Sequence, residues 1–128
     1  MESTKPLSGI CVIDLTQILQ GPYCAFLMAM AGAEIIKVEP LTGDRTRRHK
    51  ESRVPPVAFA MLNSNKKSVT LNLRTPRGKD ILKALVKDAD VLLENYAPGV
   101  MDRLGLGYSV LKEINPRLIY ATGTGYGI

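Results

Sequence analysis

Three observations predict an α/β fold, a Rossmann-like parallel sheet with helices on both faces: short β-branched apolar runs recur along the chain, helical stripes separate them, and the connections are short. Residues 10–15, Ile-Cys-Val-Ile-Asp-Leu, form an almost unbroken apolar run, the pattern of a strand buried on both faces of a parallel sheet. The next helix is expected over residues 22–30, with Pro22 at its first position, where a missing N–H costs nothing. Its residues, from Cys24 to Ala31, are apolar all round, which predicts burial on more than one side. Gly32 stops it, and residues 34–38 read as the second strand.

Residues 40–56 are polar and basic without apolar period, so a surface loop is expected there, followed by a short helix over residues 57–62. Residues 67–73 alternate Val69, Leu71 and Leu73 against Ser68, Thr70 and Asn72, which is strand period. Thr75-Pro76 supplies a cap and an N1 proline for a helix carrying Ile81, Leu82, Leu85 and Val86 on one stripe. A buried strand over residues 91–93 leads to the turn-rich segment 94–99 and a short helix toward Leu104. Ser109 is expected to cap another helix that Asn115-Pro116 ends, and residues 118–122 form the last strand.

At 128 residues the chain is one domain's worth, and its apolar share of 45% is that of an ordinary globular protein. The longest apolar stretch, residues 24–33, is about half of the ~20 residues a transmembrane helix needs. With no leader-like start either, a cytoplasmic protein is expected. The two cysteines, Cys11 and Cys24, have neither the number nor the spacing of a disulfide framework, and are expected to be free buried thiols. The net charge of +5 suits a phosphate-bearing partner, but aromatics of only 5% argue against nucleic acid.

Several signatures fail on inspection. Leu73 stands where a P-loop needs its first glycine and Asp80 where it needs Ser or Thr. The turn Gln20-Gly21-Pro22 lacks a dinucleotide glycine triplet, and Gly123-Thr124-Gly125-Tyr126-Gly127 follows a strand with no helix behind it. His49 is the single histidine, so a zinc site and a serine triad both lack parts; no metal is expected. Asp14 ends the first strand as either a catalytic carboxylate or, more simply, a turn cap. The run Arg45, Arg47, Arg48, Lys50 and Arg53 is either a phosphate site or a solvated face, and Asn63-Ser64-Asn65-Lys66-Lys67 reads as turn chemistry.

Taken in order, the lead-in from Lys5 to Ile10, Asp14, Gly21-Pro22, Gly32-Ala33-Glu34-Ile35-Ile36-Lys37-Val38-Glu39, Gly43-Asp44, Asn63-Ser64-Asn65-Lys66-Lys67-Ser68, Thr75-Pro76 with Gly78, Glu94-Asn95-Tyr96, Pro98-Gly99, Arg103-Leu104-Gly105 and Asn115-Pro116 resemble the start of the family III coenzyme A transferases. The resemblance covers nearly the whole chain. It implies the CoA-binding N-terminal portion of a large Rossmann-like domain, within an interlocked homodimer, and an acyl-CoA and a carboxylic acid as substrates. By position it places CoA contacts on Leu19, Gln20, Leu71, Asn72, Leu73, Arg74, Asn95, Tyr96, Ala97 and Arg103. Pro40 stands where many members carry a basic residue near the adenosine, which Arg45 or Arg47 would have to replace.

The family's mechanism, so implied, begins with an aspartate attacking the acyl-CoA thioester. A mixed anhydride forms, then an enzyme-bound CoA thioester, and CoA passes to the acceptor acid. That aspartate is expected beyond Ile128, so the 128 residues alone are expected to be inactive and, with helix one apolar on all sides, to self-associate. An acyl-CoA racemase of the same fold and a non-catalytic CoA-binding module are the alternatives.

Overall fold

Five strands, all parallel, lie in the order β3-β2-β1-β4-β5. The computed structural model describes residues 4–47 and 56–127. In chain order the elements are β1 (Cys11–Asp14), α1 (Gln20–Met30), β2 (Glu34–Glu39), a 3₁₀ turn (Arg45–Arg47), α2 (Pro56–Asn63), β3 (Lys67–Thr70), α3 (Pro76–Lys87), β4 (Val91–Glu94), α4 (Val100–Arg103), α5 (Tyr108–Ile114) and β5 (Ile119–Thr122). The order runs outward from β1 in both directions, so the topological switch lies between β1 and β4, where open α/β sheets leave a crevice at the carboxyl ends of their strands.

Alternation along the central strands divides the core in two. Ile13, Leu15 and Leu92 face Leu82 and Val86 of α3 and Leu111 of α5, whereas Val12, Ile35, Val91 and Leu93 face Ala25 and Ala29 of α1. Helices therefore cover both faces, as the continuous apolar strands require.

Local departures from expectation have physical reasons. Helix α1 starts at Gln20, so Pro22 sits one position inside the set of amides that have no intrahelical partner, and still costs no hydrogen bond. Its small residues Ala25 and Ala29 allow close approach to the sheet, and only that side is buried; Tyr23, Leu27 and Met30 are about half exposed, contrary to the expected all-round burial. Cys24 is exposed on this outer side and Cys11 half-buried, so neither is the fully buried thiol expected.

Strand β3 ends at Thr70 rather than Leu73 because the Asn72 side chain accepts from the Arg74 amide at 3.1 Å and turns the chain toward α3. Gly107, not Ser109, caps α5: the Val110 and Leu111 amides both donate to its carbonyl. Thr75 caps α3 as expected, its hydroxyl accepting from the Gly78 amide at 3.2 Å. His49, Arg48, Lys50 and Arg53 lie outside the described residues. Among the described residues, no helix is long and apolar enough to cross a membrane.

Candidate functional site at the strand ends

Three loops meet at the carboxyl edge of the sheet. The β1–α1 and β4–α4 loops are joined across the switch point by Asn95: its Oδ1 accepts from the Gln17 amide at 2.9 Å and its Nδ2 donates to the Gln17 carbonyl at 2.8 Å. The third loop, after β3, is set by the start of α3. A Cβ on Gly78 would stand 2.0 Å from the Asn72 carbonyl oxygen, so only glycine lets the helix begin this close to the turn.

A groove of about 690 Å³ opens between these loops and the one after β2. Gln17, Pro40, Leu41, Leu71, Tyr96 and Arg103 are among its walls, and Asn72, Leu73 and Arg74 continue them. The lining has apolar surface from Leu41, Leu71 and Leu73, one aromatic ring, and two guanidinium groups with no carboxylate partner among the ion pairs of the described residues. Arg74 and Arg103 are both exposed. A flexible ligand with an apolar arm and a phosphate-bearing end matches this composition, because guanidinium pairs with phosphate oxygens in a bidentate manner. Burial raises the Tyr96 phenol, so the ring is neutral at physiological pH.

Six of the ten expected contacts, Leu71, Asn72, Leu73, Arg74, Tyr96 and Arg103, are brought together here. Asn95 stands behind the wall as the loop bridge. Ala97 lines a second groove, with Glu94, Met101, Tyr108 and Tyr120, beside β5. Leu19 and Gln20 are exposed at the start of α1, outside both linings, with the Gln20 amide near Gly123.

A buried layer of charge adjoins the groove and reaches its wall at Glu39. Asp14, fully buried, accepts from the Thr16 amide at 2.9 Å and from the Thr16 hydroxyl, and its other oxygen meets the Lys66 ammonium at 2.9 Å. The turn-cap reading of Asp14 thus holds, with an added ion pair. Lys66 is not the simple turn residue expected: its side chain is 1% exposed, and it also donates to the Pro22 carbonyl at 3.0 Å.

Lys37, equally buried, reaches the Asp44 carboxylate and the Thr16 carbonyl, each at 2.9 Å. Glu39 accepts from Arg47 through both oxygens at 2.7 Å, from the Ser68 hydroxyl at 2.7 Å and from the Asp44 amide at 2.7 Å. Burial pushes the Glu39 carboxyl up, but these donors more than offset it and hold it at about 2. Arg47 is therefore committed to Glu39, with its guanidinium 3.9 Å over the Phe59 ring, and Arg45 is exposed. The pattern contained one signal for this layer: Lys37 and Glu39 interrupt a strand whose other inner positions are apolar.

A family model described as CoA-transferase family III matches residues 7–128. The chain belongs to this family. It is 46% identical over 127 residues to a formyl-CoA:oxalate CoA-transferase of Rhodopseudomonas palustris, covering 97% of this chain and 30% of that protein. It is 48% identical over 136 residues to an acyl-CoA transferase of Fusarium pseudograminearum, covering 98% and 30%. A CAIB/BAIF family protein from Brucella suis, solved by crystallography, superposes with a TM-score of 0.89 at 38% identity over 98% of this chain and 35% of that one. This family III chain thus spans about a third of the length of the relatives it matches. Among the described residues, no group of His, Cys, Asp and Glu could hold a metal.

Proposed function

We propose that this chain provides the CoA-binding part of a CoA transferase that moves coenzyme A between an acyl-CoA and a carboxylic acid. The observation that carries the reading is the strand-end groove, with Arg74 and Arg103 exposed beside an apolar wall and Tyr96. The two guanidinium groups hold the phosphates, Leu71, Leu73 and Tyr96 flank the nucleotide or pantetheine, and Asn95 keeps the β1 and β4 loops at the spacing the ligand needs. Leu19, Gln20 and Ala97 contact the same ligand nearer its thiol end. Pro40 and Leu41 supply the adenosine side with apolar surface in place of a cation, since Arg47 is engaged by Glu39.

The nucleophile comes from outside these 128 residues. The two aspartates of the buried layer are each engaged, Asp14 by Lys66 and Thr16 and Asp44 by Lys37 and Thr46, and neither is exposed to a thioester. That nucleophile, a carboxylate, attacks the thioester carbonyl and releases CoA thiolate into the groove, leaving a mixed anhydride. The thiolate attacks the enzyme's carbonyl of that anhydride, which frees the donor acid and leaves an enzyme–CoA thioester. The acceptor carboxylate attacks this thioester, releasing the thiolate and forming a second anhydride; thiolate attack on the acceptor's carbonyl then gives the new CoA ester and restores the enzyme carboxylate. The working protein is a cytoplasmic homodimer, with the half-exposed Tyr23, Leu27 and Met30 of α1 covered by subunit contact.

The relatives' name makes formyl-CoA and oxalate the first pair to assay. The full-length protein is expected to convert them to formate and oxalyl-CoA, read by mass spectrometry, and to accept other acids more slowly. If neither this pair nor a panel of acyl-CoA thioesters and acids produces a second CoA ester, the transferase reading fails. Epimerisation of a branched acyl-CoA without transfer would replace it with the racemase.

A further inference from the structure

Residues 16–22, the β1–α1 loop with the first turn of α1, are held in a costly conformation. Ile18, β-branched and 44% exposed, has φ of 73°, a region that such residues rarely occupy and that its own burial does little to reward. The loop also folds tightly on itself: a Cβ on Gly21 would lie 2.2 Å from the Thr16 Cβ. Asn95 holds its middle at Gln17, and other groups must hold its ends. At its first end Lys37 donates to the Thr16 carbonyl, and at its last end Lys66 donates to the Pro22 carbonyl. Each ammonium is fixed in turn by a buried carboxylate, Lys37 by Asp44 and Lys66 by Asp14, with Asn63 accepting the remaining Lys66 proton at 3.0 Å. An apolar replacement of such pairs is often no less stable, so stability alone does not account for them. What an ammonium adds is three donors, enough to grip a backbone carbonyl and a carboxylate together.

We propose that Lys66 and Lys37 are positioning residues whose buried ammonium groups clamp the two ends of the 16–22 loop and hold Leu19 and Gln20 at the strand ends. The functional consequence rests on the CoA reading above; the clamp itself does not. The test uses the full-length protein and amide hydrogen exchange without any CoA present. In the pair variant Asp14→Asn with Lys66→Met, which leaves no unpaired buried charge, exchange at residues 17–21 is expected to rise roughly tenfold or more while β4 and α3 keep their protection. Adding Ile18→Gly, which adopts the same φ without strain, is expected to reverse most of that rise.

The single variant Lys37→Met is expected to loosen the same amides. Unchanged exchange at residues 17–21, an equal rise throughout the sheet, or no reversal by Ile18→Gly would each overturn the clamp. Selective loosening in a protein that gives no heat on titration with CoA would sink the CoA reading and leave the clamp standing.

Discussion

Glu39 shows how one side chain organises its surroundings. It sits at the end of β2, 2% exposed, and collects donors from Arg47, Ser68 and the Asp44 amide. Its folded carboxyl is depressed from 4.5 to about 2, so its contribution to stability is complete above about 4.5 and is lost as pH falls toward 2. Glu39→Gln keeps the shape but loses the charge-assisted bonds, and is expected to cost about 2 kcal/mol at neutral pH. Urea midpoints measured between pH 7 and 2.5 should fall more steeply below 4.5 for the parent than for the variant; parallel curves would show that Glu39 is not the group titrating. Sequence alone did not reveal this role. A glutamate closing a strand announces that something must satisfy it, but the partners come from two segments, the turn at residues 44–47 and Ser68 of β3, that only the fold assembles.

At the scale of elements, the starts of the helices position the site more than the strands do. Helix α3 is amphipathic, capped by Thr75 and opened by Pro76, and these local signals were readable because capping and periodicity are set within a few residues. What was not readable is how closely that helix start presses on the turn before it. Gly78→Ala places a methyl group 2.0 Å from the Asn72 carbonyl and must push Asn72 and Arg74 outward. A loss of about 1–3 kcal/mol in unfolding free energy is expected, with weakened CoA binding from the same displacement; a variant as stable as the parent would mean the turn yields freely. Strand β3 stops three residues short of where the alternation points, for a related reason. Alternation continued through Leu73, but the side chain of Asn72 competed with the sheet and won. Helix α1 misled in the opposite way: uniformly apolar sequence suggested burial all round, whereas only its alanine side packs on the sheet.

For the whole molecule, the parallel sheet and its covering helices were legible because unbroken β-branched runs and intervening stripes leave few alternatives, and the strand order carries the consequence. Parallel strands put the loops after β1, β2, β3 and β4 on one edge, and the switch between β1 and β4 opens a crevice there, so expected contacts scattered from Leu71 to Arg103 line one groove. The buried charges adjoining it were hidden because Asp14 and Lys66 stand 52 residues apart and neither is unusual in its local context. CoA binding at this edge through its two exposed guanidinium groups is what we propose. Its most direct test is calorimetric titration of CoA into the full-length protein and into the Arg74→Ala, Arg103→Ala variant. The variant is expected to lose at least tenfold in affinity, roughly 1.4 kcal/mol or more, with a shallower dependence on salt; equal affinity and equal salt dependence in the two proteins would mean that the guanidinium groups do not hold CoA.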